Sequence, residues 1–163
     1  MPLPLVTQLR FARSEFMRCL QGVSPEDAVR RILPMNCISW TVGHLASQEN
    51  QFWVYKAQGV SLYPELRKLV GFGRPASTPP YAEMLQAWQE ITRAADTYLE
   101  SLSLETLTTF FPGADESVGT LLQRNLYHYF FHTGESHAVR QVLDHLDLPQ
   151  FIGDMDQAIY RPN

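Results

Sequence analysis

The chain has 163 residues, of which 45% are hydrophobic and 18% charged, and its formal net charge at neutral pH is -4. This length favours one domain, residues 1–163, with a sizeable core, and the negative balance argues against a nucleic-acid partner. With two cysteines, no signal-peptide pattern at the first residues and no apolar run of about eighteen residues, we expect a cytoplasmic protein that neither enters a membrane nor depends on disulfides.

Hydrophobic spacing in the first half of the chain predicts three helices. Apolar residues recur every three or four positions over 3–21, the pattern of an amphipathic helix. A serine followed by proline and two acids opens a short helix predicted over 24–33, and a further proline ends it. A second long helix is predicted over 36–58, beginning between 36 and 39, with Gly59 as its C-terminal cap.

The second half of the chain predicts two more long helices. Glycines and prolines over 59–80 indicate a long ordered loop with one or two helical turns inside it, and Pro79 and Pro80 open the third long helix. The expected buried side of that helix carries Met84, Trp88, Ile91, Ala95 and Leu99. A short helical segment follows from Ser103, and the fourth long helix is predicted over 118–146.

The remaining tail, from residue 148 onward, has no helical pattern and is expected to pack across the helices through Phe151, Ile152 and Tyr160. No segment alternates apolar and polar residues over a strand length. Four long helices with short extra helices in the connections predict an all-α four-helix bundle.

The fourth predicted helix carries two histidines four residues apart, His128 and His132, and the second carries His44. At about 3.6 residues per turn, that spacing places two imidazoles on one face, where both can reach one ion. Two ligands from one helix and one from a facing helix would leave open positions on a divalent metal ion, as metal chemistry on a substrate requires. Zinc and nickel are the first candidates, and iron and copper also accept nitrogen ligands.

Three further residues are candidates for the same site. Glu135, one turn after His132, could be a general base or a hydrogen-bond acceptor for an imidazole, and the alternative is a surface acid. Gln48, one turn after His44, could orient a substrate or bridge two helices. Trp40 is a candidate substrate contact, although we favour a role as a core anchor.

The other reactive residues have simpler interpretations. His137 lies about 140° around the helix from His132 and is expected to face elsewhere. His145 lies near the predicted C-terminus of a helix, where the helix dipole favours a cationic side chain, and this is sufficient to explain its presence. Cys37 precedes a helix, which can activate a thiol, but we favour a small buried side chain there.

Two segments resemble a known family. Residues 36–46, NCISWTVGHLA, are similar to the second-helix signature of the DinB/YfiT-like superfamily, in which a tryptophan and a glycine precede a metal-binding histidine. Residues 127–135, YHYFFHTGE, with the following 138–143, resemble its fourth-helix signature. The likeness extends over essentially the whole chain.

The resemblance implies a bundle with up-down-down-up helix order and a divalent metal held by His44, His128 and His132. Relatives in that superfamily include transferases and isomerases that use low-molecular-weight thiols. Three hypotheses follow. The chain is a metal-dependent thiol S-transferase or hydrolase acting on a small molecule, or a metal-binding protein without catalysis, or a homodimeric interaction module.

Overall fold

The computed structural model describes residues 2–159 of the chain. The seven α-helices are α1 (Pro4–Cys19), α2 (Pro25–Ala28), α3 (Ile38–Glu49), α4 (Leu66–Val70), α5 (Tyr81–Leu99), α6 (Leu104–Leu107) and α7 (Val118–Val142). A π-helical segment, Asn50–Lys56, continues α3, and a 3-10 turn covers Asp156–Ala158. Within 2–159 there is no β-strand, only an isolated bridge between Phe110 and Ser117. The all-α prediction is therefore confirmed.

Polar side chains set several helix starts, as their positions in the sequence suggest. The Ser24 side chain accepts a hydrogen bond from the backbone N–H of Asp27 at the start of α2. Ser117 does the same for Thr120 at the start of α7, and Ser103 forms a capping box at α6. Each cap satisfies a backbone N–H group that the first helical turn leaves without a partner.

Two helices end earlier than the sequence predicts. The short second helix was expected over 24–33 but stops at Ala28, where the N–H of Arg30 bonds to the carbonyl of Asp27 in a tight turn. The last long helix was expected to reach residue 146 but stops at Val142, because Asp144 has a φ of 58°. A left-handed residue cannot continue a right-handed helix, so the chain turns there.

The continuation of α3 ends where the sequence predicts. Gly59 has a φ of 68°, and its N–H bonds to the carbonyl of Tyr55 at 2.9 Å. Glycine adopts this left-handed conformation without steric cost, which makes it a common helix cap.

The long helices bury one apolar core. Helix α1 packs against α7, and α3 packs against α5, α4 and α7. The five residues predicted for the buried side of α5 are all buried. The largest fully buried side chains are Trp53, Tyr129 and Phe16. None of the helices within 2–159 is both long and apolar enough to cross a bilayer.

A buried polar network joins all four long helices. Arg13 of α1 makes a two-pronged ion pair with Glu49 of α3, and its other nitrogen donates to Asp96 of α5 at 2.7 Å. The hydroxyl of Tyr129 of α7 donates to Glu49 at 2.6 Å, and Trp88 of α5 donates to that hydroxyl at 2.7 Å. Since a buried charge without a partner is costly, this network favours one arrangement of the helices.

The C-terminal tail follows α1, but not entirely as predicted. The Phe151 ring lies 4.6 Å from the guanidinium carbon of Arg18 and 5.4 Å from the His137 ring, between centroids. Ile152 was predicted to pack inward but is 53% exposed. The tail is held here by polar contacts between its backbone and the Arg18 and Glu15 side chains of α1, and not by its apolar side chains. Tyr160 lies outside the described residues.

Candidate metal centre

Helices α3 and α7 bring His44, His128 and His132 together. The Nε2 atom of His128 lies 3.1 Å from Nε2 of His44 and 2.9 Å from Nε2 of His132. Imidazole nitrogens bound to one ion at about 2.0–2.1 Å lie roughly 2.8–3.4 Å apart, depending on the coordination angle. The spacing of the three nitrogens therefore fits shared coordination of one metal ion.

The backbone of the long loop fixes the His44 ring. Its Nδ1 lies 2.7 Å from the carbonyl oxygen of Val70, at the end of α4. Because a carbonyl only accepts hydrogen bonds, Nδ1 carries the proton and Nε2 has a free lone pair. The Trp40 ring stacks on His44 with 4.6 Å between centroids and restricts the imidazole plane further.

A chain of three hydrogen bonds fixes the tautomer of His128. The indole N–H of Trp53 donates to Oδ1 of Asn125 at 2.7 Å, so the amide nitrogen of Asn125 faces Gln48. That nitrogen donates to Oε1 of Gln48 at 2.9 Å, and Nδ1 of His128 lies 2.8 Å from the same oxygen. Because the indole only donates, the Asn125 oxygen must face Trp53 and the Asn125 amide nitrogen must donate to the oxygen of Gln48. That oxygen can then only accept from His128, which therefore carries its proton on Nδ1.

A carboxylate does the same for His132. Nδ1 of His132 lies 2.6 Å from Oε2 of Glu135, one turn further along α7. An ionised carboxylate only accepts hydrogen bonds, so the His132 proton is also on Nδ1. This is the imidazole–carboxylate pairing that often supports a metal-binding histidine.

All three Nδ1 atoms donate outward, so the three Nε2 lone pairs face one another with no proton between them. Burial lowers the pKa of His44, and burial together with the neighbouring imidazoles lowers the pKa of His128 to about 4 and that of His132 to about 3. The rings are therefore neutral at pH 7, the protonation state that binds metal ions. The donor set fits a divalent transition metal.

Two adjoining cavities open from His44 and His128 toward solvent. The first, of about 250 Å³, is lined by His44, His128 and Gln48, together with Arg67 of α4 and Phe72 just after that helix. The second, of about 540 Å³, shares Gln48, Phe72 and His128 and extends along α7 to Arg124, Tyr127 and Phe131. The long loop predicted at 59–80 thus forms one wall of the site. We call the two cavities together the groove.

The structure separates the other candidates from one another. Gln48 lies in the groove and supports His128, and Glu135 lies behind His132. Trp40 is buried beside His44 and lines neither cavity of the groove. His137 lies against the tail, on another side of α7 from the triad.

The other two residues considered, His145 and Cys37, make contacts that suit a structural role. His145 lies 3.1 Å from Nε of Arg140 and 3.2 Å from Oδ2 of Asp27. The Cys37 sulfur accepts the backbone N–H of Trp40 at 3.4 Å and caps α3, and burial raises the pKa of the thiol. A raised pKa disfavours the reactive thiolate.

Sequence reasoning missed several residues of this centre. Asn125 precedes His128 by three positions and so shares its helix face, a signal that could have been used. Trp53 reads as an ordinary core residue, and the Val70 carbonyl has no side-chain signal at all. Arg67 lies in α4 and Phe72 just after it, in a connection whose path does not follow from hydrophobic spacing.

The fold and the site define a class: an all-helical protein whose buried three-histidine cluster can hold a metal ion beside an open groove. The family model of the DinB superfamily matches residues 8–136, a span that contains all three histidines. The chain therefore belongs to the DinB superfamily, as its two motifs indicated. No curated protein sequence matches the chain.

Proposed function

We propose that this protein binds one divalent metal ion through His44, His128 and His132 and uses it as a metal-dependent enzyme of the thiol S-transferase or hydrolase type. The observation that supports this most directly is the convergence of three Nε2 atoms that carry no proton. The Nε2 atom of His128 lies 3.1 Å from that of His44 and 2.9 Å from that of His132. Without an ion, such an arrangement is repulsive, because lone pairs face each other at contact distance.

The ion would supply Lewis-acid chemistry, which activates a nucleophile or polarises a substrate. The surrounding residues would hold the imidazoles in position. Glu135 bonds to the Nδ1 side of His132, away from the Nε2 face, so we assign it as a positioning residue that keeps the ring oriented and electron-rich. Gln48 has its carbonyl oxygen occupied by two donors, which leaves its amide N–H groups for a substrate in the groove.

We propose a single four-helix-bundle domain with up-down-down-up helix order. Its four members would be α1, α3 with its π-helical continuation, α5 and α7. In this order α3 and α5 run parallel, which requires a connection as long as the helices. A helix of about 19 residues is roughly 28 Å long, and the 59–80 connection is easily long enough to return along it. Gly43 of α3 lies against Met84 near the start of α5. Gln58, after the π-helical continuation, bonds to the carbonyl of Ala94 nearer the end of α5, and this parallel succession of contacts supports the order.

A metal-binding role without catalysis is the second candidate. An ion would cross-link α3 to α7, which favours a structural role. However, the Tyr129 hydroxyl of α7 already donates to Glu49 of α3, and the Asn125 amide of α7 donates to Gln48. The groove beside His44 and His128 gives an ion access to small molecules, which a purely structural site does not need.

The test is elemental analysis of untagged protein purified without chelator, beside a His128→Ala/His132→Ala variant that remains folded by circular dichroism. We expect about one metal ion per chain in the wild type and none in the variant. His137→Ala is the matched control, because it removes an imidazole from the same helix outside the cluster, and it should retain the ion. Absence of metal from the wild type, even after reloading with zinc and nickel, would refute the proposal.

Given metal, activity is then tested with low-molecular-weight thiols plus electrophiles and with hydrolysable esters and amides. The enzyme proposal predicts turnover by wild-type protein that the double variant lacks. Full occupancy without turnover on either substrate class would favour the structural role.

A further inference from the structure

The charge of the groove differs from that of the chain as a whole. The chain has 17 acidic against 13 basic side chains. Yet the residues that line the two cavities include Arg67 and Arg124 and no aspartate or glutamate. A site with this lining, and with a bound divalent cation, attracts anions and repels cations.

The two arginines differ in how much of their charge is free. Arg124 is paired with Glu116, whose carboxylate accepts from Nε at 2.7 Å and from a second guanidinium nitrogen. Arg67 donates to the neutral amide of Gln51 at 3.3 Å, and none of the carboxylates within residues 2–159 is in ion-pair distance of it. Arg67 therefore offers an uncompensated positive charge in the same cavity as His44 and His128.

The backbone around Arg67 is closely packed and supports this placement. The N–H of Gly71 bonds to the carbonyl of Arg67 at 3.1 Å at the end of α4. A Cβ atom at position 71 would collide with that carbonyl oxygen, so only glycine fits. Phe72 follows this tight turn directly. It lines the smaller cavity together with Arg67 and also lines the larger one.

Three aromatic rings form an exposed apolar rim on the groove. Phe72 is 97% exposed, and Tyr127 and Phe131 on α7 are more than half exposed. All three line the larger cavity, which adjoins the one that contains Arg67. Exposed aromatic surface beside a polar site is typical of contact with a flat, apolar ligand.

We propose that the groove binds a small organic anion with a flat apolar body. Arg67 would hold the anionic group, Phe72 with Tyr127 and Phe131 would cover the apolar body, and the reacting group would face the three histidines. This inference rests on the proposed function, and it specifies the substrate class of that site. Arginine's planar fork binds carboxylate and phosphate groups alike, so the shared chemistry is the anion.

The experiment is calorimetric titration of metal-loaded protein with three matched probes: phenylacetate, phenyl phosphate and the neutral phenylacetamide. We expect at least one anion to bind about tenfold or more tightly than the amide. A preference for phenylacetate or for phenyl phosphate would identify the anionic group. Equal binding of all three probes, or no anion binding, would overturn the proposal.

Variants separate binding by Arg67 from binding by the metal ion. Arg67→Gln should lose about tenfold in anion affinity and leave the amide unaffected, while Arg67→Lys should keep part of the preference because it keeps the charge. Arg93→Gln, which removes an exposed arginine of α5 outside both cavities, should behave like wild type. Unchanged anion affinity in Arg67→Gln would overturn the assignment of Arg67.

Metal content of each protein sample makes the two proposals distinguishable. If Arg67-dependent anion binding occurs in protein that takes up no metal, the metal proposal fails and the anion groove stands. If every sample holds metal but no variant changes anion affinity, the metal proposal stands and the inference about the substrate fails.

Discussion

Replacing Gln48 with leucine tests whether the hydrogen-bond chain behind His128 sets metal affinity. The Gln48 side chain accepts from both His128 and Asn125 through a single oxygen. Leucine has a similar size but no acceptor, so nothing would then fix the imidazole proton on Nδ1. A share of the molecules would carry the proton on Nε2, where it blocks coordination.

The expected loss follows from the contacts that are removed. Mutating a residue that supports a metal ligand lowers affinity about 10–100-fold, which corresponds to roughly 1.4–2.8 kcal/mol. Gln48→Leu breaks two bonds of ordinary length, at 2.8 and 2.9 Å, beside a half-buried ring. We therefore expect an effect near the upper end of that range. Gln48→Glu retains an acceptor at this position and should preserve affinity.

The assay is competition for zinc between each protein and a chromophoric chelator at pH 7. Gln51→Leu is the matched control, because Gln51 lines the same cavity but hydrogen-bonds to Arg67 and not to a histidine. If Gln48→Leu remained folded and kept the zinc affinity of the wild type, the hydrogen-bond chain behind His128 would not set metal affinity. An equal loss in Gln51→Leu would attribute the effect to the cavity in general.

Three further predictions concern stability and reactivity. Zinc at a thousandfold excess over its Kd should add about 4 kcal/mol to the free energy of unfolding. Because the entropy of unfolding is roughly 340 cal/mol/K for a chain of this size, the thermal midpoint should rise by about 12 °C. A rise of the same size in His132→Ala would contradict triad binding. Glu49→Gln leaves the buried Arg13 charge without its main partner and should cost about 3–5 kcal/mol in urea unfolding, whereas a loss below 1 kcal/mol would show that Asp96 suffices. Burial raises the pKa of Cys19 to about 11, so less than about one thiol in a hundred is ionised at pH 8. Alkylation of Cys19 should therefore be slow until urea unfolds the chain. Fast labelling of this cysteine in native protein would contradict its burial.

The helical periodicity predicted the parts of this molecule that depend on side-chain pattern. Residues four apart on one helix must share a face, so the proximity of His128 and His132 followed from spacing alone. The position of His44 opposite them needed the tertiary arrangement, and the family motif supplied that expectation. The five residues predicted for the buried side of α5 are all buried for the same reason of periodicity, and Tyr81, Ala87 and Thr92 are buried with them.

Several of the parts that were missed depend on the backbone. Val70 holds His44 through a carbonyl oxygen, which every residue type provides. The early end of the helix after Ser24 depends on one tight turn, and the exposed Ile152 reflects backbone bonds that α1 makes to the tail. Hydrophobic spacing does not encode such contacts, because they involve atoms common to all residues.

The π-helical segment Asn50–Lys56 has a consequence for the tolerated length of the chain. Trp53 follows Gln48 by five residues, which in ordinary α-winding would place it about 140° away around the helix. The wider turn, with i→i+5 bonding, winds more slowly and brings Trp53 toward the face where it meets Asn125. Deletion of one residue here would be absorbed by a return to ordinary α-winding, in which the indole would follow Gln48 by four residues and lie only about 40° from it around the helix. Insertion of one residue would keep every histidine and every polar group of the hydrogen-bond chain, yet swing the indole away from Asn125. The protonation of an imidazole on α7 is therefore sensitive to the number of residues in another helix, independently of which residues they are.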